Sequence, residues 1–172
     1  MVDAVYFAAL DAVRPAVLVT PACDIDREKV DLWTFVVLYR DDDVARGLLA
    51  KDLEIWQKAR AGAPLTKNQR DAVTKKVREL IEHRFGRYHW LPVAIDGHPA
   101  HVADFSCVSS LPAGEIEAKA RRVTTLTSSW REQLPARYAS YMARVGTVDF
   151  KRDEIDAEVE RLVRSVAGAR VG

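Results

Sequence analysis

Apolar residues fall along this chain in successive patterns, and each change of pattern marks a change of predicted structure. In the first forty residues they come as short runs bounded by turn formers, which predicts strands. Ala4 to Leu10 is one run, with a turn at Asp11 to Arg14 behind it. Pro15 to Thr20 is β-branched and apolar on both faces, as suits a buried strand, and a proline at the start costs no ladder bond. Pro21 ends it, a polar turn runs from Asp24 to Asp31, and Leu32 to Tyr39 predicts a third strand.

The period then lengthens. Val44, Leu48, Ile55 and Ala59, with Trp56 beside them, fit one face of a helix that the acidic triplet Asp41 to Asp43 starts favourably. Gly62 and Pro64 stop it. Thr66 and Gln69 have the spacing of a capping box, and Val73, Val77, Leu80 and Ile81 continue a second helix toward Gly86. Together they predict a helical hairpin packed on the sheet, an insertion over 43–85. Strands return over 88–110, as Tyr88 to Ile95 and Ala100 to Ser109, with Asp96-Gly97 as the hairpin turn and Pro99 disturbing the register.

The last third, 115–168, is helical in pattern. Ile116, Ala120, Val123, Thr127, Trp130 and Leu134 recur at helical spacing, and Tyr138, Tyr141, Met142 and Val145 carry it on. Pro135 predicts a kink or restart, Gly146 a stop, and Asp149 a cap for a final helix facing inward through Ile155, Val159, Leu162 and Val166. The whole predicts one α/β domain of the α+β kind over 1–172. Its centre is a small bent sheet of about five strands, SH3-barrel-like, with the helical hairpin inserted and the C-terminal helices covering one side.

Composition narrows the function classes. A chain of 172 residues buries enough apolar surface to fold without disulfides or structural metals. With 26 Lys and Arg against 25 Asp and Glu, the net charge is +1, so nucleic acid as a partner is unsupported by net charge. No apolar run is long enough to span a bilayer and no secretory pattern opens the chain, so a cytoplasmic location without a membrane partner is expected. Cys23 and Cys107 stand far apart, which predicts reduced thiols.

The segment Thr20-Pro21-Ala22-Cys23-Asp24-Ile25 emerges from a buried strand, where functional groups gain a rigid support. Cys23 is a candidate nucleophile or ligand, although a neighbouring Asp24 raises a thiol pKa. The plainer alternative makes Cys23 a small buried apolar residue and Asp24 the start of a turn. His89 and His101 on the later strands reach it only through the fold. A metal site needs Cys23, Cys107 and histidines to converge, and His98 and His101 at an odd offset are expected on opposite strand faces, so no metal or cofactor is expected. The eight glycines form no dinucleotide or phosphate-binding loop, and neither a Gly-x-Ser-x-Gly elbow nor a His-Glu-x-x-His helix occurs. Trp33, Trp56, Trp90 and Trp130 are expected in the core. Arg121, Arg122, Arg131, Arg137 and Arg144 line the C-terminal helices, either as an acid- or phosphate-binding face or as a solvated face with carboxylate partners.

Two resemblances add expectations. Arg14-Pro15-Ala16-Val17-Leu18-Val19-Thr20, the polar turn behind it and the strand Leu32 to Tyr39 resemble the early strands of PemK/MazF-type toxins. That implies an SH3-like barrel that cuts RNA, here without a Gly-Asp-Ile opening and with a two-helix insertion. A longer set is similar to bacterial proteins with a Thr-x-x-Cys-Asp-Ile motif: Thr20 to Ile25, Leu91-Pro92, Asp104-Phe105 and Arg144-Val145-Gly146. Those look like companions of ATPases or other effectors in conflict or phage-defence loci. Two functions are therefore carried forward. One is a non-catalytic binding or regulatory subunit acting through a protein partner, in a bacterial defence or toxin–antitoxin setting, with Asp104, Arg121, Arg122, Arg137 and Arg144 as candidate binding residues. The other is a PemK-like ribonuclease with Arg14, Thr20, Cys23 and Asp24 as candidates, Asp24 as base near a 2′-hydroxyl and Arg14 on the phosphate.

Overall fold

The computed structural model describes residues 1–25, 30–50, 52–119, 124–143 and 152–167. The architecture is α+β, and the chain divides into two compact units: residues 1–39 with 86–147, and residues 40–85 with 148–172.

The first unit holds the sheet. Its elements are β1 (Val2–Phe7), β2 (Ala12–Leu18), α1 (Ala22–Ile25), β3 (Leu32–Arg40, whose last residue opens the second unit), β4 (Tyr88–Leu91), β5 (His101–Pro112), α5 (Ala113–Lys119) and α6 (Ser128–Ala143). The ladder is open, in the order β1-β2-β3-β5-β4, and the pairs β1/β2, β2/β3 and β4/β5 are antiparallel.

The strands depart from the predicted bounds for local reasons. β1 ends at Phe7 in a 3₁₀ turn over Ala8–Leu10, and Asp11 at φ 46° reverses the chain, so β2 starts at Ala12 and not at Pro15. Pro15 then lies inside the ladder without an amide proton. The register absorbs it: Val5 pairs with Arg14 but Val2 with Ala16, so β1 carries one extra residue opposite the proline. The Asp96-Gly97 turn forms as predicted, with φ 50° and 78° and paired bonds between Ile95 and His98.

Alternation gives the sheet two apolar faces. Val17, Val19, Val36, Leu38 and Phe105 line one, packed against Leu134, Trp130 and Tyr138 of α6. Val5, Phe7, Ala16, Phe35, Val37 and Cys107 line the other, closed by Ile116 of α5. Each fully buried Val, Leu, Ile or Phe among them contributes about 1.5–3 kcal/mol. Phe105 and Cys107 are two residues apart yet belong to opposite faces, so the pleat of β5 is interrupted at Ser106. The helical run expected from Ile116 to Leu134 is broken, since residues 124–127 are not helical. Threonines at 124, 125 and 127 make that stretch a poor helix. Helix α6 in turn runs through Pro135 without the restart expected there.

The second unit is helical: α2 (Asp41–Leu49), α3 (Leu53–Arg60), α4 (Lys67–Ile81) and α7 (Arg152–Ala167). The single helix expected before Gly62 is two. The break comes where the Asp52 carboxylate accepts from the Ile55 amide at 3.3 Å and starts α3 as its own helix. Thr66 and Gln69 form the predicted capping box, with bonds of 3.3 and 3.1 Å. The last helix, expected over the sheet, belongs to this unit, and its Ile155, Val159, Leu162 and Val166 are all buried as α7 packs on α4 and α2. Asp41 and Asp42 open α2 and are also buried. No helix among the described residues is long and apolar enough to cross a membrane.

Candidate functional site

Strand parity assembles a polar row on the α5-side face of the sheet. Ala16 and Val37 are register partners whose side chains face that side, and continuing the register by two residues sets Arg14 beside Tyr39. On the neighbouring β5, Ala103 and Phe105 point to the α6 side, so Asp104 between them points to the same side as Tyr39. Tyr88 pairs with Asp104, which brings the preceding residue, Arg87, within reach of its carboxylate.

Arg87 grips Asp104 as a fork, Nε donating to Oδ1 at 2.7 Å and Nη2 to Oδ2 at 2.6 Å. The interruption at Ser106 supplies two more donors to Oδ1, the amide at 3.0 Å and the hydroxyl at 2.7 Å. The Asp104 side chain is 3% exposed and that of Arg87 is 52% exposed. One partner is sealed in and the other faces solvent. Arg87 is held at both ends of the residue: its carbonyl accepts from the Phe105 amide at 2.9 Å, and its guanidinium lies 5.0 Å over the Tyr88 ring.

The electrostatics follow from this geometry. Burial alone would raise the Asp104 pKa, but the Arg87 fork and the Ser106 donors hold it below the usual carboxylate value. The same hydrogen bonds push Arg87 further up, so it carries its charge at every relevant pH. Tyr39 is raised by burial first and then by Cys107 and Asp104, while Arg14 and Arg87 act the other way. Burial, and after it the Asp104 charge, pushes the Cys107 thiol up, which is the reverse of what a nucleophile needs. The row thus offers a positioned cation at Arg87 and a second, exposed one at Arg14.

Of the sequence candidates, Asp104 and Arg14 share this row. Thr20 lies at the outlet of β2, where its Oγ1 accepts from the Thr34 amide at 2.7 Å and extends the β2–β3 pairing. Asp24 lies in α1, its amide donating to the Pro21 carbonyl at 3.0 Å. Arg14 stands four residues before the end of β2, roughly 13 Å along the strand from it, and Asp24 comes after that end, so the two are not brought together along β2. The backbone of Cys23 is in α1, and its side chain is outside the described residues. Arg137 is buried on α6, and burial lowers its pKa. Arg121, Arg122 and Arg144 lie outside the described residues.

The histidine expectation needs correcting. His98 belongs to the turn and not to β5, so strand alternation does not apply, and its ring lies 5.4 Å from that of His101. His89 is buried, stacked on Phe105 and edge-on to Trp130. Of the tryptophans, Trp90 is buried while Trp33 and Trp130 are partly buried against the two clusters; the Trp56 side chain is outside the described residues.

Sequence reasoning passed over Arg87 and Ser106. A usable signal existed, since centring the hairpin on Asp96-Gly97 sets Asp104 opposite His89, one residue from its observed partner Tyr88 and two from Arg87. Comparison with known families, with curated proteins and with solved structures finds no match to this chain.

Proposed function

We propose that the chain is a non-catalytic binding subunit acting through a protein partner, and that Arg87 and Arg14 take hold of an acidic group on that partner. The observation that carries this reading is a half-exposed guanidinium held on a rigid sheet face by a buried carboxylate. A cation fixed in advance loses little side-chain entropy on binding, and arginine is enriched at protein interfaces. The thiol in the row is buried with a raised pKa, so the row itself offers no activated nucleophile. The Thr20 to Ile25 motif adds the setting, a bacterial defence or toxin–antitoxin system. Native mass spectrometry of the tagged chain from its own host tests the reading. A stoichiometric protein partner is expected, and a chain that always emerges alone contradicts it.

A second reading, an RNA-cleaving SH3-like barrel, has one observation in its favour. The Ser109 hydroxyl donates to the Tyr6 carbonyl at 2.9 Å, linking edge strand β1 to the far part of β5 as a curling sheet does. Induced expression separates the two. Growth arrest with RNA breakdown, abolished by Arg14→Ala and by Asp24→Ala, would move the conclusion to the nuclease; normal growth with intact RNA counts against it.

A further inference from the structure

We propose that the Tyr39 hydroxyl is a third contact of the Arg14–Arg87 row and donates a hydrogen bond to the oxyanion of the protein partner. The contact presupposes the partner-binding reading above and adds a residue to it. Tyr39 lies near the end of β3 and is half-buried, with its ring packed on the α5-side cluster that contains Phe35, Val37 and Cys107. The continued β2–β3 register sets it beside Arg14, and strand parity puts it on the same side of the sheet as Asp104.

The hydroxyl is available as a donor. It makes no hydrogen bond among the described residues. An unbonded hydroxyl sealed from solvent would be a buried unsatisfied group, and Tyr39 is not one, so it opens to solvent. Burial raises its pKa, and the charges of Cys107 and Asp104 act the same way against the opposing pull of Arg14 and Arg87. The phenol therefore keeps its proton at neutral pH and meets an anion as a donor.

The arginines leave work for such a donor. Nε and Nη2 of Arg87 are spent on Asp104, so its guanidinium presents only Nη1 and the outer proton of Nη2 to a newcomer. Asp104 also offsets the charge of one of the two arginines. An oxyanion has more acceptor sites than the open end of one guanidinium fills, and a hydroxyl bond to an anion is among the strong kinds. Tyrosine has few rotatable bonds and loses little freedom on binding, and like arginine it is enriched at protein interfaces.

The protein recovered with the tagged wild-type chain from its host is released in high salt and rebound to immobilised full-length wild type and Tyr39→Phe. That substitution removes one oxygen and keeps the packed ring, so the two melting curves should overlay. Affinity should fall about tenfold, mostly as faster dissociation, as for a lost hydrogen bond to a charged group. Equal affinity for both chains overturns the Tyr39 contact and leaves the partner reading standing. An affinity loss matched by a lower melting temperature makes Tyr39 a structural residue and overturns the contact as well. A wild-type chain that yields no partner overturns both.

Discussion

Both units of this chain bury aspartate, and they neutralise it in different ways. In the helical unit Asp41 and Asp42 open α2, where the helix dipole already favours negative charge. Arg161 of α7 pairs with Asp41, Arg46 and Arg40 pair with Asp42 at 3.1 and 3.3 Å, and the Ser165 hydroxyl donates to Asp42 at 3.4 Å. The groups come from within the unit, and two of them, Arg161 and Ser165, tie α7 to α2, so these carboxylates act as internal staples. In the sheet unit the Asp104 carboxylate is sealed by the Arg87 fork and Ser106, and half of the Arg87 side chain stays in solvent. A buried acid thus has two uses. It can tie elements together, or it can hold a cation in place for something outside.

The contrast predicts graded effects. The largest belongs to the helical core: Leu162→Ala, at a fully buried position on α7, should cost about 3 kcal/mol in urea unfolding. Arg161→Ala comes next, at about 2–3 kcal/mol, because it leaves Asp41 buried without its α7 partner. That variant should keep any protein partner, and its loss would blur the division between staple and recognition group.

Arg87→Ala should cost about 2 kcal/mol, less than a fully buried pair because half of its side chain is already hydrated. Its pH dependence has a definite sign. The folded-state pKa of Asp104 lies below the ordinary value of 3.8, so the fork stabilises the protein above that pH and the benefit is lost as pH falls below it. The stability gap between wild type and Arg87→Ala should therefore be constant near neutrality and close in acid; a gap that widened in acid would refute the assignment. Smaller again is Thr66→Ala, about 1 kcal/mol from the lost capping box, read as the shift in urea midpoint.

The helical unit was the more legible in sequence because its signals are local. A capping box spans four residues, and the apolar stripe Ile155, Val159, Leu162 and Val166 repeats along one helix. What the stripe could not say was which surface it would meet, and α7 packs on α4 and α2. The break between α2 and α3 was hidden because apolar spacing runs on across it, and only the capping role of Asp52 marks it. In the sheet unit the strands and the Asp96-Gly97 turn were legible, but the site was not. Arg87 meets Asp104 across a hairpin, and the interruption at Ser106 that delivers two donors leaves no mark in an alternating pattern. Thr20 drew attention as a candidate catalyst because of its place at a strand end, and there its hydroxyl holds Thr34.

Charge reversal at Arg14 tests the central claim most directly. Arg14 is an exposed residue of β2, so Arg14→Glu should leave thermal unfolding within about 0.5 kcal/mol of wild type. The measurement is native mass spectrometry of wild type and Arg14→Glu purified side by side from the host at two salt concentrations. The account predicts a partner on the wild-type chain that thins as salt rises and is absent from Arg14→Glu. A partner held equally by both proteins, indifferent to salt, would contradict it.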